Sequence, residues 1–222
     1  MDLLLYGSVF WIAAIVFTVL EATKRTGSPV TTIFKCIPAF SGVAFVLLDV
    51  PSSSLFYPLL AIALVLCGLG DIAMEHNILP GLGLFLFAHL FFIGNFVLNS
   101  SLGTNLWLIS ALGICLTIML MYIVLYHRYL LTASNPTPLI RAVDVYALAI
   151  SLTLSTCLLL WLSTGAALGY LPFVGTVFFV LSDSLIGVRE FHHRFRYDES
   201  ATMITYYLAI FLISLAVLVY SF

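Results

Sequence analysis

Residues 67–92 read CGLGDIAMEHNILPGLGLFLFAHLFF and join two apolar segments of the chain. The first segment ends shortly after Asp71, and the second carries His89 near its middle. A charged group at the centre of a bilayer costs about 3 kcal/mol on insertion scales, and less near the surface. Polar residues in such segments therefore usually face a cavity or a polar partner. We expect this of Asp71 and His89.

The composition places the chain among membrane proteins. Hydrophobic residues make up 63% of its 222 residues and charged residues only 8%, with a mean hydropathy of +1.17. These values exclude a soluble domain. Because a spanning helix needs about 20 mostly apolar residues, the length accommodates about eight helices and no extramembrane domain. The predicted fold class is an all-α polytopic membrane protein.

The apolar runs, separated by short turn-forming stretches, predict one integral-membrane domain over residues 1–222. Its helices are expected at roughly 3–21, 32–48, 55–75, 81–99, 105–126, 140–162, 169–188 and 202–221. The first run is expected to be a retained helix, because its start lacks a basic region and a small-residue cleavage site.

Charge and cysteine patterns indicate few partners other than lipid. The basic residues are few and close to the membrane, which disfavours nucleic-acid binding. The cysteines all fall inside apolar runs without CxxC spacing, so they predict neither disulfides nor a metal site. They are Cys36, Cys67, Cys115 and Cys157. The sequence does not indicate an oligomeric state.

The distribution of lysine and arginine predicts the orientation of the chain. With eight spans, all 8 basic residues fall in odd-numbered loops or at helix ends beside them. Basic residues are enriched in cytosolic loops, so we expect this face in the cytosol and both termini on the other side. We therefore expect a multi-pass protein of the endoplasmic reticulum membrane in a eukaryote, or of the inner membrane in a bacterium.

Several polar residues are expected near the cytosolic ends of their helices. They are Lys35, Asp71, Arg141, Asp144, Asp183, Tyr206 and Tyr207. His89 is expected deeper, about 12 Å from that side at a rise of 1.5 Å per residue. Together they predict a funnel that opens to the cytosol, polar at its mouth and apolar below.

A weak internal repeat relates the two halves of the chain. Gly70-Asp71 at the end of the third helix corresponds to Ser182-Asp183 in the seventh, and Lys35 has a loose counterpart in Arg141. Four helices per unit keep both halves in the same orientation, as in the parallel repeats of some transporters. A 4+4 parallel repeat would bring the two aspartates together at the centre.

Asp71 and Asp183 are the candidate catalytic pair. Two carboxylates in one pocket of low dielectric constant cannot easily ionise together, which leaves a protonated general acid beside an ionised partner. The alternative is that each aspartate pairs with a basic neighbour, Lys35 with Asp71 and Arg189 with Asp183.

The other candidates also have structural alternatives that the sequence leaves open. Lys35 either binds a lipid phosphate or extends to the headgroups. Arg141 and Asp144 are three residues apart on one helix and are placed to pair with each other. His89 is either a ligand or a hydrogen-bonded core residue. Tyrosines near helix ends, such as Tyr206, are ordinarily interfacial anchors.

Short motifs along the chain resemble the signature of the YhhN-like lysoplasmalogenase family. They are Lys35-Cys36-Ile37-Pro38, Gly70-Asp71, Gly83-Leu84-Phe85, Ala88-His89, the segment from Gly175 to Asp183, and Tyr206-Tyr207-Leu208-Ala209. Their order and spacing extend the resemblance over nearly the whole chain. One position departs from the family: Ile210 stands where glutamine commonly follows Ala209, so no role of that amide carries over.

The resemblance implies hydrolysis of the vinyl ether bond of lysoplasmalogens, which releases a fatty aldehyde and glycerophosphocholine or glycerophosphoethanolamine. Vinyl ethers resist hydroxide but hydrolyse once their β-carbon is protonated, which suits an aspartate acid–base pair. A lysophospholipid is then the substrate, in contact with membrane lipids, and no metal or organic cofactor is required. The expected substrate-binding residues are Lys35, His89, Arg141, Asp144, Tyr206 and Tyr207.

An interpretation from another class is a proton-coupled transporter of a lipid or small solute, with the same acid pair as a proton relay. The internal repeat and His89 allow it. Against it, the chain lacks the obviously interrupted helices that usually build a transport site. A transporter also releases no aldehyde, which separates the two functions.

Overall fold

The computed structural model describes residues 2–48, 54–133 and 139–220. Within these ranges the regular structure is helical throughout: α1 Leu3–Ala22, α2 Pro29–Leu48, α3 Phe56–Met74, α4 Ile78–Leu98, α5 Leu106–Leu131, α6 Leu139–Thr164, α7 Tyr170–Phe191, α8 Asp198–Ser214 and α9 Ala216–Val219. Only Leu215 separates α8 from α9, and together they form one span, Asp198–Val219. The described chain thus has 8 segments long and apolar enough to cross a bilayer. It is an integral, multi-pass membrane protein.

The predicted helices agree with the structure to within a few residues. The largest difference is at the end of α5, which continues to Leu131 instead of 126. Three helices also start earlier than predicted: α2 at Pro29, α4 at Ile78 and α8 at Asp198. Pro80 does not break α4, because N–H groups in a first helical turn have no helical partner to lose. Asn77 caps this helix by accepting a hydrogen bond from a backbone N–H at 3.0 Å. The predicted end of the last helix, at 221, lies outside the described residues.

These earlier starts place polar residues deeper than predicted. Lys35 lies six residues after the start of α2, about 9 Å along the helix rather than in its first turn. His89 lies eleven residues into α4, about 16 Å instead of 12 Å. Tyr206 lies eight residues into α8, about 12 Å deep. We call the side from which these depths are measured the basic face; it carries the connections that follow α1, α3, α5 and α7.

The helices form one bundle with an aromatic interior. α3, α6 and the Asp198–Val219 span are the most buried, and α5 is the least buried. α3 packs on α4 and α7 on α8, while the two halves meet where α4 packs on α6 and where α8 packs on α1 and α2. Tyr6 joins α1 to this interior: its hydroxyl lies 2.5 Å from the Ser214 hydroxyl, and its ring stacks on Phe45.

The packing largely repeats between the two halves of the chain. The contacts of α1 with α2, α2 with α3 and α3 with α4 recur as α5 with α6, α6 with α7 and α7 with α8. The contact of α4 with α6 recurs as α8 with α2. The close packing of α1 on α8 has no equally close counterpart between α5 and α4. The two halves therefore share a similar order of helix contacts, while the 4+4 parallel repeat stays a prediction.

Candidate active site

Asp71 and Asp183 line the same cavity, which has a volume of about 260 Å³. α3, α7 and α8 form most of its wall, α4 adds Phe85, and residues of α1 and α2 complete the wall. Asp71 is three residues from the end of α3 and only 3% exposed, whereas Asp183 is eight residues from the end of α7. Two carboxyl groups distant in sequence thus share one partly enclosed space.

Tyr206 holds Asp71 from across the cavity. Its hydroxyl donates a hydrogen bond to Asp71 Oδ2 at 2.9 Å. Its ring packs edge-on against Phe85 and Phe179, with centroids 5.8 and 5.7 Å away, which restricts its orientation. Gly70 permits this arrangement, because a Cβ there would lie 2.8 Å from the Phe85 ring. The glycine that precedes Asp71 is therefore a packing requirement between α3 and α4.

Asp183 lies at one end of a buried hydrogen-bond chain. The Tyr146 hydroxyl is hydrogen-bonded to Asp183 Oδ2 and lies 3.2 Å from His89 Nε2. His89 is fully buried, and its Nδ1 lies 3.0 Å from the Thr153 hydroxyl. That hydroxyl is also 3.1 Å from the Ala149 carbonyl. Every polar group in this hydrogen-bond chain therefore has a partner, as buried polar groups require.

The hydrogen-bond chain has two possible proton orders, because hydroxyl groups and imidazole both donate and accept. With Asp183 ionised, Thr153 donates to His89 Nδ1, Nε2–H donates to Tyr146, and Tyr146 donates to the carboxylate. With Asp183 protonated, each of these bonds reverses, and Thr153 donates to the Ala149 carbonyl. The chain therefore accommodates either form of Asp183 without leaving a buried polar group unpaired.

Charged residues surround the mouth of the cavity at the basic face. Lys35 Nζ lies 2.5 Å from Glu75 Oε1, and Arg189 contacts both Glu190 and Glu199 at 3.3 Å. Over residues 2–48, 54–133 and 139–220, no salt bridge joins either cavity aspartate to a basic side chain. The predicted alternative, in which each aspartate pairs with a basic neighbour, is therefore wrong. The basic groups pair with glutamates at the mouth instead.

Comparison with known families identifies the group to which the chain belongs. The YhhN family model matches residues 30–217, most of the chain. The chain belongs to the YhhN family. This family includes lysoplasmalogenases and is associated with hydrolase activity. Comparisons with curated proteins and with solved structures gave no match.

The region matched to YhhN contains both aspartates, the tyrosine partner of each, and His89. α1 lies outside it and adds Phe17 and Glu21 to the cavity wall. Ile210, which departs from the family pattern, is fully buried and is not among the residues that line the cavity. The departure therefore lies in the helix core, away from both carboxyl groups.

The structure brings some of the predicted binding residues of this YhhN protein to the cavity and leaves others away from it. Lys35 and Tyr206 line the cavity. Within the described residues, His89 is connected to Asp183 through the Tyr146 hydroxyl and does not line the cavity. Tyr207 is buried and donates to the backbone carbonyl of Lys35 at 3.2 Å. Tyr206 and Tyr207 are 4% and 1% exposed, so neither is an interfacial anchor.

Arg141 and Asp144 are not brought to the cavity. Arg141 is exposed, and Asp144 Oδ1 lies 2.9 Å from His127 Nδ1 of α5. The prediction that Arg141 and Asp144 pair with each other is wrong, because the packing of α5 on α6 supplies a nearer partner. The geometry gives no support to their assignment to substrate binding.

Sequence reasoning missed Tyr146, Thr153 and the second carboxylate pair, Glu21 and Glu199. The two glutamates line the mouth of the same cavity. Tyr146 and Thr153 are seven residues apart and therefore lie on one face of α6. This shared polar face of α6 could have predicted the hydrogen-bond chain from the sequence. The glutamates gave no such signal, because charged residues at helix ends are usually solvated.

The described residues contain no group of three or more His, Cys, Asp or Glu side chains that could hold a metal ion. The cysteines are free and buried.

Proposed function

We propose that this YhhN protein is a lysoplasmalogenase, which hydrolyses the vinyl ether bond of lysoplasmalogens. The observation that carries the proposal is that Asp71 and Asp183 line one cavity of about 260 Å³. Each carboxyl group is hydrogen-bonded to a tyrosine, and no salt bridge neutralises either in the described chain. In such a pair, one aspartic acid can donate a proton while the other aspartate, as the carboxylate, accepts one.

The first step transfers a proton from one aspartic acid to the β-carbon of the vinyl ether. The π electrons of the double bond form the new C–H bond, which leaves an oxocarbenium ion at the α-carbon and the ether oxygen. The second aspartate, as the carboxylate, stabilises this cation. Water then adds to the α-carbon and gives its proton to the second aspartate, which yields a neutral hemiacetal.

The hemiacetal collapses to the products and restores both aspartates. The second aspartic acid gives its proton to the glycerol oxygen as the bond between that oxygen and the α-carbon breaks. The hemiacetal O–H proton returns to the first aspartate as the aldehyde forms. Overall, R–O–CH=CH–R′ and one water become R–OH and R′–CH₂–CHO, where R is the glycerophosphoryl headgroup.

The mouth of the cavity suits the headgroup of such a substrate. Lys35 and Arg189 offer positive groups to the phosphate, while Glu21 and Glu199 offer negative groups to the amine of choline or ethanolamine. Glu21, Arg189 and Glu199 lie within one turn of the helix ends at the basic face, whereas Asp183 lies eight residues from the end of α7. A lipid whose headgroup is held at the mouth therefore presents its glycerol and vinyl ether to the carboxyl groups.

The test is aldehyde release by the purified protein from a lysoplasmalogen, beside an ester lysophospholipid as the control substrate. Asp71→Asn and Asp183→Asn keep the side-chain shape but remove the proton chemistry. Each is expected to lower kcat by about a hundredfold or more, since general acid–base groups contribute roughly 10²–10⁴-fold.

Asp144→Asn is the matched control, because Asp144 is a carboxylate of the same bundle outside the cavity. Its activity should equal that of the wild type. Full turnover by both cavity variants contradicts the acid pair. Lysolipid uptake into proteoliposomes without aldehyde release supports the transporter instead.

A further inference from the structure

An apolar crevice adjoins the cavity at Asp183. It has a volume of about 40 Å³ and lies between α4, α6 and α7. Its apolar lining includes Ile78, Leu82, Leu139, Val143 and Phe191. Asp183, Met74, Phe85 and Ile186 line both this crevice and the cavity, whereas Asp71 lines the cavity alone. Asp183 thus stands at the boundary between a polar and an apolar space.

The two spaces differ in the chemistry that they offer. The cavity wall carries Lys35, Arg189 and three glutamates. Apart from Asp183, Tyr146 and Glu190, the crevice is lined by apolar side chains and a glycine. A lysoplasmalogen has the same division, with a charged headgroup and glycerol at one end and hydrocarbon at the other. Its vinyl ether is the junction between them.

We propose that the crevice between α4, α6 and α7 binds the alkenyl chain of the substrate, and that Asp183 is therefore the proton donor. This inference rests on the proposed function. From the headgroup outward the substrate atoms are the glycerol oxygen, the α-carbon, the β-carbon and the chain. The β-carbon, which receives the proton, is the vinyl carbon nearer the crevice and hence nearer Asp183. Asp71 lies on the glycerol side, where water adds to the α-carbon.

The hydrogen bonds of the two aspartates agree with these roles. The Tyr146–His89–Thr153 chain can accept a hydrogen bond from a protonated Asp183. Within the described residues, the Tyr206 hydroxyl bonds to Asp71 alone and is free to donate to a carboxylate. Asp183 is thus placed to hold the proton at the boundary, and Asp71 to remain ionised in the polar cavity.

The size of the crevice limits how much of the alkenyl chain it holds. Leu82 and Val143 are half-buried at the edges of α4 and α6, so a chain that leaves between these helices continues into the bilayer. The crevice then needs to hold only the first carbons after the vinyl group. Met74, which is unbranched and adaptable, borders the passage from the cavity and can move aside.

Two larger apolar grooves lie elsewhere and are alternative binding sites for the alkenyl chain. One, of about 830 Å³, is lined by residues of α1, α2 and α3, and the other, of about 810 Å³, by residues of α5, α6 and α7. Neither Asp71 nor Asp183 lines either groove. The first groove meets the cavity at Glu75, whereas the crevice meets it at the candidate catalytic residue Asp183 itself.

Val143→Trp tests the assignment by filling the crevice, and Ile33→Trp in the first groove is the matched control. Val143→Trp should lower kcat/KM for a hexadecenyl lysoplasmalogen by about ten- to hundredfold, because the indole takes the space in which the first chain carbons would be buried. The loss should be smaller for an ethenyl analogue, which has no carbon after its vinyl group, and Ile33→Trp should leave both substrates unchanged. Equal losses for both chain lengths, or a loss confined to Ile33→Trp, overturn the proposal.

A second measurement uses the wild-type protein and needs no turnover. A hexadecyl ether lysophospholipid, which cannot be hydrolysed, carries a diazirine on its first chain carbons. Crosslinks at Leu82 and Val143 support the crevice, and crosslinks at Ile33 or Ile114 in the grooves overturn it. If the wild type releases no aldehyde yet crosslinks at the crevice, the proposed lysoplasmalogenase fails while the chain site stands. Aldehyde release with crosslinks only in a groove supports the lysoplasmalogenase and overturns the chain site.

Discussion

At the scale of single residues, the site depends on buried polar side chains whose partners are buried with them. His89 is the clearest case, because both ring nitrogens are satisfied by side chains of α6. It faces aromatic neighbours, including Phe92 and Phe179, and among the described residues its hydrogen-bonded connection to Asp183 runs through Tyr146. A buried group that loses its partner costs about 1–3 kcal/mol. Replacing His89 should therefore disturb the hydrogen bond between Tyr146 and Asp183.

Replacement of His89 should impair turnover more than binding. His89→Leu leaves the Tyr146 hydroxyl with Asp183 as its only polar partner and removes the reversible chain. We expect kcat to fall about ten- to hundredfold, for a loss of roughly 1.5–3 kcal/mol in the transition state, with KM nearly constant. His89→Gln, which keeps a donor and an acceptor, should recover part of the loss. Steady-state kinetics on the folded variants measure kcat and KM. An unchanged kcat in His89→Leu contradicts a role of His89 in turnover.

Replacement of Lys35 should instead act on binding. Lys35 pairs with Glu75 at the cavity mouth, with its side chain 11% exposed, so it is placed to meet a phosphate. Lys35→Ala should raise KM about ten- to hundredfold, since a charge-assisted contact contributes roughly 1.5–3 kcal/mol, with a smaller change in kcat. Arg128→Ala, at an exposed basic residue of α5 away from the cavity, is the control. A collapse of kcat at constant KM assigns Lys35 to the chemistry.

At the scale of helices, close packing carries the carboxyl groups to their positions. α7 brings Asp183 to the cavity and packs tightly on α8, which brings Tyr206. Gly175 lies at this contact: a Cβ there would be 2.9 Å from Ile213 Cγ1 and 3.0 Å from the Ala209 carbonyl oxygen. Backbone cannot yield as a flexible side chain does. The glycine at 175 therefore sets the distance between the two helices.

Gly175→Ala should lower stability, because the added methyl group overpacks the contact of α7 with α8. The expected loss is about 1–3 kcal/mol. Gly113→Ala on α5 is the control, since nothing lies within 4 Å of a Cβ at that position. It should be neutral or stabilising by up to about 1 kcal/mol, from the better helix propensity of alanine. Thermal unfolding in one detergent compares the two; a Gly175→Ala variant as stable as Gly113→Ala contradicts this packing role.

At the scale of the whole molecule, the bundle is asymmetric across the membrane. The basic face carries the lysine and arginine residues and the cavity mouth, and the opposite face carries neither. Basic residues are retained on the cytosolic side of membrane proteins. We therefore propose that the basic face is cytosolic and that the substrate headgroup and water reach the aspartates from there.

Cysteine labelling tests this orientation. Thr23, after α1, and Thr104, before α5, are both exposed and lie on opposite faces. The native cysteines are buried, so they should contribute little background. In sealed cells or vesicles, Thr104→Cys should react with an impermeant maleimide from the non-cytosolic side, and Thr23→Cys only after the cytosolic side is opened. The reverse pattern places the mouth on the other leaflet.

The sequence by itself determined the eight spans and the membrane class. Length and apolarity are local properties, and a lipid environment demands about 20 apolar residues whose backbone groups bond within the helix. The order of the motifs also singled out Asp71, Asp183 and Lys35 before any packing was known. The helix starts were less well predicted, because polar first turns such as that of α8 resemble loops.

Only the tertiary structure decided which side chains meet. Asp183 with Tyr146, Lys35 with Glu75 and Asp144 with His127 were not predicted as pairs. Each partner depends on the depth and rotation of two helices, and a shift of one residue changes these by about 1.5 Å and 100°. Glycines and aromatic rings at the helix contacts set those quantities. For the same reason, only the packing of α4, α6 and α7 placed Asp183 at the boundary between the cavity and the crevice.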